Sequence, residues 1–297
     1  EKIGVHDNFF KLGGHSLLVI QLIIKINQTM HTQLSIIDIF KNPTIISLSY
    51  LMQSNIGDIA SSPIFCIQSN GENNPLFLVH PGGGLAYSYT KLTKYITDIP
   101  IYGINHPNFI DSSVIFNSIE EMAQFYIGLI KSEQQMGPYF LGGWSHGGLI
   151  AYEMARQLYD QNNEVKQLIL IDPSSPNPKR SQNNYVPLKD HNNTEESWNW
   201  RSIDLKIQAK IEKNLKNSFS EVDKYKPRNY DGNIILLKAE DSIEKANLKK
   251  NYRWEKIAKK IETIEIPGTH AELFDEKHMK STAQSIKNAY WKGGRIG

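Results

Sequence analysis

The sequence has a single cysteine, no excess of one charge and no long hydrophobic segment. Cys66 cannot form an internal disulfide or a paired-cysteine metal site, and its apolar neighbours favour a core position. The 33 Lys and Arg nearly balance the 31 Asp and Glu, which argues against dedicated nucleic-acid binding. No apolar run approaches the roughly 18 residues of a membrane span, and no basic-then-apolar signal sequence opens the chain. We therefore expect a cytoplasmic protein with no metal, no membrane partner and no nucleic-acid partner.

Two regions of different pattern divide the 297 residues, of which 40% are hydrophobic and 22% charged, as in ordinary globular proteins. Helical patterns fill residues 1–54, and a small, polar stretch at 55–63 is expected to be a linker. The helices of the first region are predicted over 16–26, 35–40 and 45–52. Patterned sequence begins within a few residues of Glu1, so we expect the chain to be part of a longer protein.

Beyond residue 63, short apolar segments alternate with amphipathic ones. Strands are predicted over 64–67, 76–79, 101–104, 139–141, 167–171, 234–238 and 261–266. Helices are predicted over 85–96, 120–131, 148–161 and 277–290, the second with a capping box formed by Ser118 and Glu121. This alternation indicates the α/β class, with a mainly parallel sheet covered on both faces. Residues 174–230 are too long for a plain connection and predict an inserted lid with a helix near 203–215.

The motif Gly-Trp-Ser-His-Gly at 143–147 lies between a predicted strand and a predicted helix. A serine on such a sharp turn projects its hydroxyl above the sheet, and small flanking glycines permit that backbone. The positive end of the following helix dipole also faces its alkoxide. The motif alone is common by chance, but this context favours Ser145 as a nucleophile.

A serine nucleophile needs a histidine base and a carboxylate that orients it. In serine hydrolases of α/β type the chain order is serine, acid, histidine, with the histidine in a loop after the last strand. His270 fits that place, whereas the other histidines precede Ser145, adjoin it, or lie in the insertion or the final helix. Asp172 and Asp241 each follow a strand on the carboxyl edge of the sheet, and the residues alone leave the choice between them open.

A glycine run follows the second predicted strand in His-Pro-Gly-Gly-Gly at 80–84. Glycines at this point let backbone N–H groups approach a substrate, as the second oxyanion donor does beside the N–H of His146. A phosphate-binding loop is the competing interpretation, but both glycine-rich phosphate signatures are absent.

These motifs together resemble the carboxyl end of a nonribosomal peptide synthetase, in which a peptidyl carrier domain precedes a type I thioesterase. The carrier match is Asp-Asn-Phe-Phe-Lys-Leu-Gly-Gly-His-Ser-Leu at 7–17 followed by Ile-Phe-Lys-Asn-Pro-Thr-Ile at 39–45. The thioesterase matches include the two motifs above, Ala-Tyr-Glu-Met-Ala at 151–155 and Pro-Gly-Thr-His at 267–270. The resemblance implies an α/β-hydrolase fold at 64–297, with a lid at about 174–230. It also implies an all-α carrier at 1–54 that lacks the family's first helix.

Site roles also follow from the resemblance. It assigns Ser16 the covalent 4′-phosphopantetheine arm and favours Asp172 over Asp241 as the acid. Gly83 and His146 become the expected oxyanion pair, with Gly82 or Gly84 as substitutes for the former. His146 departs from the family, where a hydrophobic residue is commoner.

The function implied is release of a peptidyl chain by transfer from the carrier arm to Ser145, then hydrolysis or macrocyclisation. The expected partners are the carrier-bound peptidyl thioester, the upstream synthetase modules and a phosphopantetheinyl transferase. A proofreading thioesterase and a generic serine esterase are alternatives. An inactive module that only docks carriers is an alternative of a different class.

Overall fold

The computed structural model describes residues 3–30, 34, 36–53, 62–175, 205–241 and 254–294. Helices occupy Ser16–Met30 (α1), Ile36–Lys41 (α2) and Ile45–Gln53 (α3), so all three predicted helices of the first region are found. Their apolar side chains form a small core of Val19, Ile23, Leu34, Ile39 and Leu48. Most of the predicted linker lies outside the described residues.

A seven-stranded sheet forms the centre of the second region. Its strands are Ile64–Gln68 (β1), Leu76–Val79 (β2), Ile101–Ile104 (β3), Tyr139–Trp144 (β4), Val165–Ile171 (β5), Tyr230–Ala239 (β6) and Ala258–Ile266 (β7). The order across the sheet is β1-β3-β2-β4-β5-β6-β7, and β1 alone among these strands pairs antiparallel with its neighbour. The predicted α/β class and mainly parallel sheet are therefore confirmed.

Helices cover both faces of this sheet. They are Ile119–Glu133 (α4), His146–Asp160 (α5), Leu205–Lys224 (α6) and Glu276–Lys292 (α7). Alternate strand residues separate the two cores: Leu168 and Leu170 lie in the core shared with α4 and α5, whereas Ile169 and Ile171 lie in the core shared with α7. The central strands β2, β4 and β5 thus bury both of their faces, which explains their nearly continuous apolar sequence, whereas the edge strand β7 exposes several Lys and Glu residues.

Two local predictions need correction. The helix predicted over 85–96 is a 3₁₀ helix at Tyr87–Lys94, where the hydroxyls of Thr90 and Thr93 donate to carbonyls three residues earlier. Such side-chain bonds to the backbone compete with the α-helical ladder.

The capping box predicted at α4 is only half formed. Ser118 accepts the N–H of Glu121 at 3.1 Å, but the Glu121 carboxylate accepts the N–H of Asn117 at 2.8 Å. The carboxylate therefore accepts from the residue before the N-cap, Asn117, and not from the N-cap residue itself.

The described part of the insertion is α6. Its helix was predicted over 203–215 and extends to Lys224, while residues 176–204 lie outside the described part of the chain. The buried positions of α6 recur every three or four residues, which gives the helix one buried face that carries both apolar and polar side chains. No helix within the described ranges is long and apolar enough to cross a membrane.

Contacts between the two regions are aromatic. Phe10 stacks on Phe40 with ring centroids 5.1 Å apart, and Phe40 in turn contacts Phe65 of β1 at 5.1 Å. Phe40 is 4% exposed and belongs to the core that lies on the α7 face of the sheet.

Candidate active site

Three of the predicted site residues follow strands at the same edge of the sheet. Ser145 comes directly after β4, Asp172 directly after β5, and His270 four residues after β7. Because these strands are parallel, their carboxyl ends meet at one edge. The sheet therefore brings together side chains that lie as far as 125 residues apart in the sequence.

The turn at Ser145 has a strained backbone. Its φ of 57° and ψ of −122° lie outside the regions that residues with a side chain normally adopt. Neighbouring segments approach closely, since a Cβ on Gly143 would lie 2.3 Å from the carbonyl of Gly147. The N–H of Ser145 donates to the carbonyl of Ile171 at 3.0 Å, which ties the turn to the end of β5. This is the nucleophile-elbow geometry that the motif predicts.

A line of hydrogen bonds joins the three side chains. His270 Nδ1 lies 2.6 Å from Asp172 Oδ2, and His270 Nε2 lies 3.1 Å from Ser145 Oγ. A carboxylate only accepts, so Nδ1 carries the proton and Nε2 accepts the serine O–H. This tautomer leaves Nε2 free to take the serine proton.

Asp172 is the carboxylate that the structure brings to His270. Its side chain is 3% exposed, and its second oxygen accepts the N–H of Ala239 at 3.1 Å. Asp241, the alternative from the residues alone, is exposed at the end of the next strand, where its N–H donates to the Gly268 carbonyl.

The glycine run lies after β2, beside the turn at Ser145. Gly84 donates its N–H to the Pro81 carbonyl at 2.8 Å, so it has no donor left for a substrate. The N–H groups of Gly82, Gly83 and His146 make no hydrogen bond to the part of the chain that the structure describes. The expected pair of Gly83 and His146 is therefore available, and Gly84 is excluded as a substitute.

Tyr89 is a site residue that the sequence analysis missed. Its hydroxyl donates to the Val79 carbonyl and accepts the N–H of Trp144, both at 2.8 Å, and the residue is 0% exposed. The hydroxyl thus bridges the ends of β2 and β4, just before the glycine run and just before Ser145. No sequence signal marks a single tyrosine of a 3₁₀ helix for this role.

His80, which begins the glycine motif, is held by two hydrogen bonds. Nδ1 lies 2.8 Å from the Pro81 carbonyl and Nε2 lies 2.7 Å from the Tyr126 hydroxyl. Complete burial lowers the pKa of His80 well below its ordinary value, which keeps the ring neutral. The neutral ring donates to the carbonyl and accepts from the tyrosine, so His80 supports the loop and leaves no nitrogen free as a base.

Ser16, predicted to carry the cofactor arm, is the first residue of α1. The turn before it is exposed at Lys11, Leu12 and Gly13, and His15 is exposed as well. This segment therefore lies at the surface of the first region. Among the described residues no cluster of three or more potential metal ligands is found.

Comparison with known proteins gives two family matches. The thioesterase domain family matches residues 74–290, and the phosphopantetheine attachment site family matches residues 1–50. A dimodular nonribosomal peptide synthase of Bacillus subtilis (strain 168) is 30% identical over an aligned length of 312 residues, and the alignment covers 92% of this chain. The chain spans 13% of the length of that relative.

Solved structures give the same picture. The NocB thioesterase domain from the nocardicin cluster, in covalent complex with a fluorophosphonate nocardicin G analogue, is 26% identical with a TM-score of 0.66. The alignment covers 77% of this chain and 100% of that one. Holo-AB3403, a four-domain nonribosomal peptide synthetase bound to AMP and glycine, is 25% identical with a TM-score of 0.70, covering 97% of this chain and 25% of that one. The chain thus belongs to the thioesterase domain family and carries a phosphopantetheine attachment segment ahead of that domain.

Proposed function

We propose that this chain ends nonribosomal peptide synthesis by moving a peptidyl chain from a carrier-bound thioester to Ser145 and then releasing it. One observation carries the proposal. Ser145, His270 and Asp172 form a continuous hydrogen-bonded line beside two unused backbone N–H groups. Such an arrangement suits acyl transfer through a covalent ester.

In the first half of the reaction, Ser145 Oγ attacks the thioester carbonyl while its proton passes to His270 Nε2. The carbonyl oxygen becomes negative, and the N–H groups of Gly83 and His146 donate to it. Asp172 accepts from Nδ1 and stabilises the charged imidazole, without itself taking up a proton. His270 then gives its proton to the departing thiolate, and the peptidyl chain remains as an ester of Ser145.

The second half regenerates the serine, because the bond between the acyl carbon and Ser145 Oγ breaks and His270 returns to Oγ the proton that it takes from the attacking group. His270 takes a proton from water, or from an amine or hydroxyl of the peptide itself, and that group attacks the ester carbonyl. Water gives a linear acid, whereas an internal nucleophile gives a macrocycle. Which of the two forms depends on how well the site excludes water and preorganises the peptide.

Ser16 is proposed as the attachment point of 4′-phosphopantetheine, loaded by a phosphopantetheinyl transferase. An exposed turn next to the start of α1 suits this modification, because the transferase must reach the serine hydroxyl. The bound arm supplies a flexible thiol that presents the acyl chain as a thioester. We accordingly propose a carrier domain at 1–54, a linker at 55–63 and a thioesterase domain at 64–297, with upstream synthetase modules as the source of the peptide.

Intact mass spectrometry after exposure to a fluorophosphonate probe and, separately, to a peptidyl thioester mimic tests the proposed function. The wild type should gain one phosphonyl group and, with the mimic, a transient acyl adduct. Ser145→Ala should gain neither, and Ser132→Ala, an exposed serine of α4, should behave as the wild type. Folded wild-type protein that is neither labelled nor active would instead favour the docking-module alternative.

Loading of the carrier is tested separately. Ser16→Ala should receive no arm from a phosphopantetheinyl transferase, whereas Ser49→Ala in α3 should be loaded, and both should still hydrolyse a free thioester. A mass increase by one arm on Ser16→Ala would remove Ser16 from the proposal.

A further inference from the structure

Helix α6 packs directly against the glycine run, although the two are about 130 residues apart in sequence. A Cβ on Gly83 would lie 3.3 Å from Ile211 Cγ2, and a Cβ on Gly84 would lie 2.3 Å from Asn214 Nδ2. Gly84 also has a φ of +86°, which favours glycine. The bare backbone of the run is therefore shaped to receive α6, and any movement of α6 changes the surroundings of this loop.

Asn214 provides the polar part of this contact. Asn108 Nδ2 donates to Asn214 Oδ1 at 2.7 Å, and Asn214 Nδ2 lies 3.3 Å from Asn108 Oδ1 and 3.5 Å from the Gly83 carbonyl. Both asparagines are buried, at 5% and 7% exposed. A buried amide pair holds its geometry closely because any displacement leaves donors and acceptors unpaired. The pair thus ties α6 to the segment at Asn108, and the Asn214 amide also reaches the carbonyl of Gly83, the residue expected to donate the first oxyanion N–H.

Glu221, two turns further along the same helix, contacts the second donor residue. His146 Nε2 lies 2.9 Å from Glu221 Oε2, and the two side chains are 4% and 13% exposed. This close contact lies outside hydrogen-bond geometry, and it places the His146 side chain against α6, while the backbone N–H of His146 makes no hydrogen bond to the described residues.

We propose that α6 positions both oxyanion donors, with Asn214 and Glu221 as the positioning residues. The inference rests on the proposed function and adds to it the reason for the unusual histidine after the nucleophile. Helix α6 contacts Gly83 and His146 through atoms other than their N–H groups. The position of α6 therefore sets the distance between the two N–H donors. Stabilisation of the tetrahedral intermediate then depends on α6, whereas the hydrogen bonds of Ser145, His270 and Asp172 do not.

Variants of α6 test this assignment in the full chain. Asn214→Ala and Glu221→Gln are compared with matched controls on the same helix, Asn217→Ala, which is exposed, and Glu212→Gln, which is half-buried. The probes are an acyl N-acetylcysteamine thioester, for kcat and KM, and a fluorophosphonate, for the rate of Ser145 labelling. We expect kcat and the labelling rate to fall about 10- to 100-fold in the two test variants, with KM within about twofold. Both controls should match the wild type.

A purely structural role for these residues would lower the melting temperature and leave kcat unchanged in the folded protein, and that result would overturn the proposal. Equal losses in the controls, or a change confined to KM, would overturn it as well. Glu221→Gln preserves shape at a partly exposed site, so it carries the test if Asn214→Ala does not fold. If the wild type and both test variants turn over the thioester and are labelled at the same rates, this inference alone is refuted. Wild-type protein that does neither refutes the proposed function.

Discussion

Ser145, Asp172 and His270 are held by the sheet alone, whereas the glycine run beside Ser145 is also covered by a helix of the insertion. The three side chains follow neighbouring parallel strands, and backbone hydrogen bonds such as Ser145 N–H to the Ile171 carbonyl fix their spacing. The glycine run is also tied to the sheet, because the N–H of His80 donates to the Ile104 carbonyl, but side chains of α6 cover it from a remote part of the chain. Residues at strand ends are held as rigidly as the core of the sheet, whereas a loop that packs on an inserted helix moves when that helix moves. Substitutions should therefore affect the two halves of the site differently.

The largest effect is expected on the sheet side. Asp172→Asn should lower kcat by about 10⁴, because an amide cannot stabilise the charged imidazole and favours the wrong tautomer of His270. Asp241→Asn, the matched change at the next strand end, should leave kcat within about twofold, because Asp241 reaches its neighbours through its backbone. Steady-state kinetics on a thioester probe compares the two variants. The opposite result would move the acid to β6.

The next effect concerns the glycine run. Gly84→Ala places a methyl group at a φ of +86° and 2.3 Å from Asn214 Nδ2, so it should cost about 1–3 kcal/mol and lower kcat. Gly128→Ala in α4 is the control, since its Cβ would meet nothing within 4 Å and alanine favours a helix. Urea unfolding of both variants measures the difference. A Gly84→Ala protein as stable and active as the wild type would show that the loop tolerates displacement of α6.

Tyr89 joins the two halves and should give an intermediate effect. Tyr89→Phe leaves the Val79 carbonyl and the Trp144 N–H without their shared partner in a fully buried place, which should cost about 1–3 kcal/mol. Because the hydroxyl links the strand ends before the glycine run and before Ser145, kcat should fall together with stability. Tyr95→Phe, a half-buried tyrosine beyond the same 3₁₀ helix, is the control. A change in melting temperature with no change in kcat would limit Tyr89 to a structural role.

The smallest effect is the pH dependence of stability on the α6 side. Burial lowers the pKa of His106 to about 4, against about 6.5 in an unfolded chain, so the unfolded state binds the additional proton between these values. Stability from this group is complete above about pH 6.5 and is lost as the pH falls toward 4. His106→Asn keeps an acceptor for the Asn108 N–H but does not titrate. It should reduce the stability lost between pH 7 and pH 5 by about 1–2 kcal/mol, as measured by urea unfolding at both values. An unchanged difference would show that His106 is protonated in the folded state.

Much of this architecture could be predicted because its signals are local. Strand lengths and helix positions followed from periodicity, and β2 and β3 have the predicted bounds. The motif around Ser145 carries its own structural context, and His270 followed from chain order and the glycine turn before it. Asp172 needed the family resemblance, because the residues alone gave Asp241 an equal place at a strand end.

Other features could not be predicted from local patterns. The 3₁₀ helix at Tyr87–Lys94 has an amphipathic pattern that a longer α-helix would share, so the pattern alone does not distinguish the two. The bridging position of Tyr89 depends on the spacing between Val79 and Trp144, which lie on two different strands.

By itself, the sequence determined the alternation of strands and helices, the strained serine turn and the order of nucleophile and base. These features depend on neighbours within a few residues, where side-chain period, glycine content and chain order act directly. The tertiary structure decided which carboxylate reaches His270 and what covers the glycine run. Those outcomes depend on distances between segments about 100 residues apart, and packing of the sheet and of α6 sets such distances.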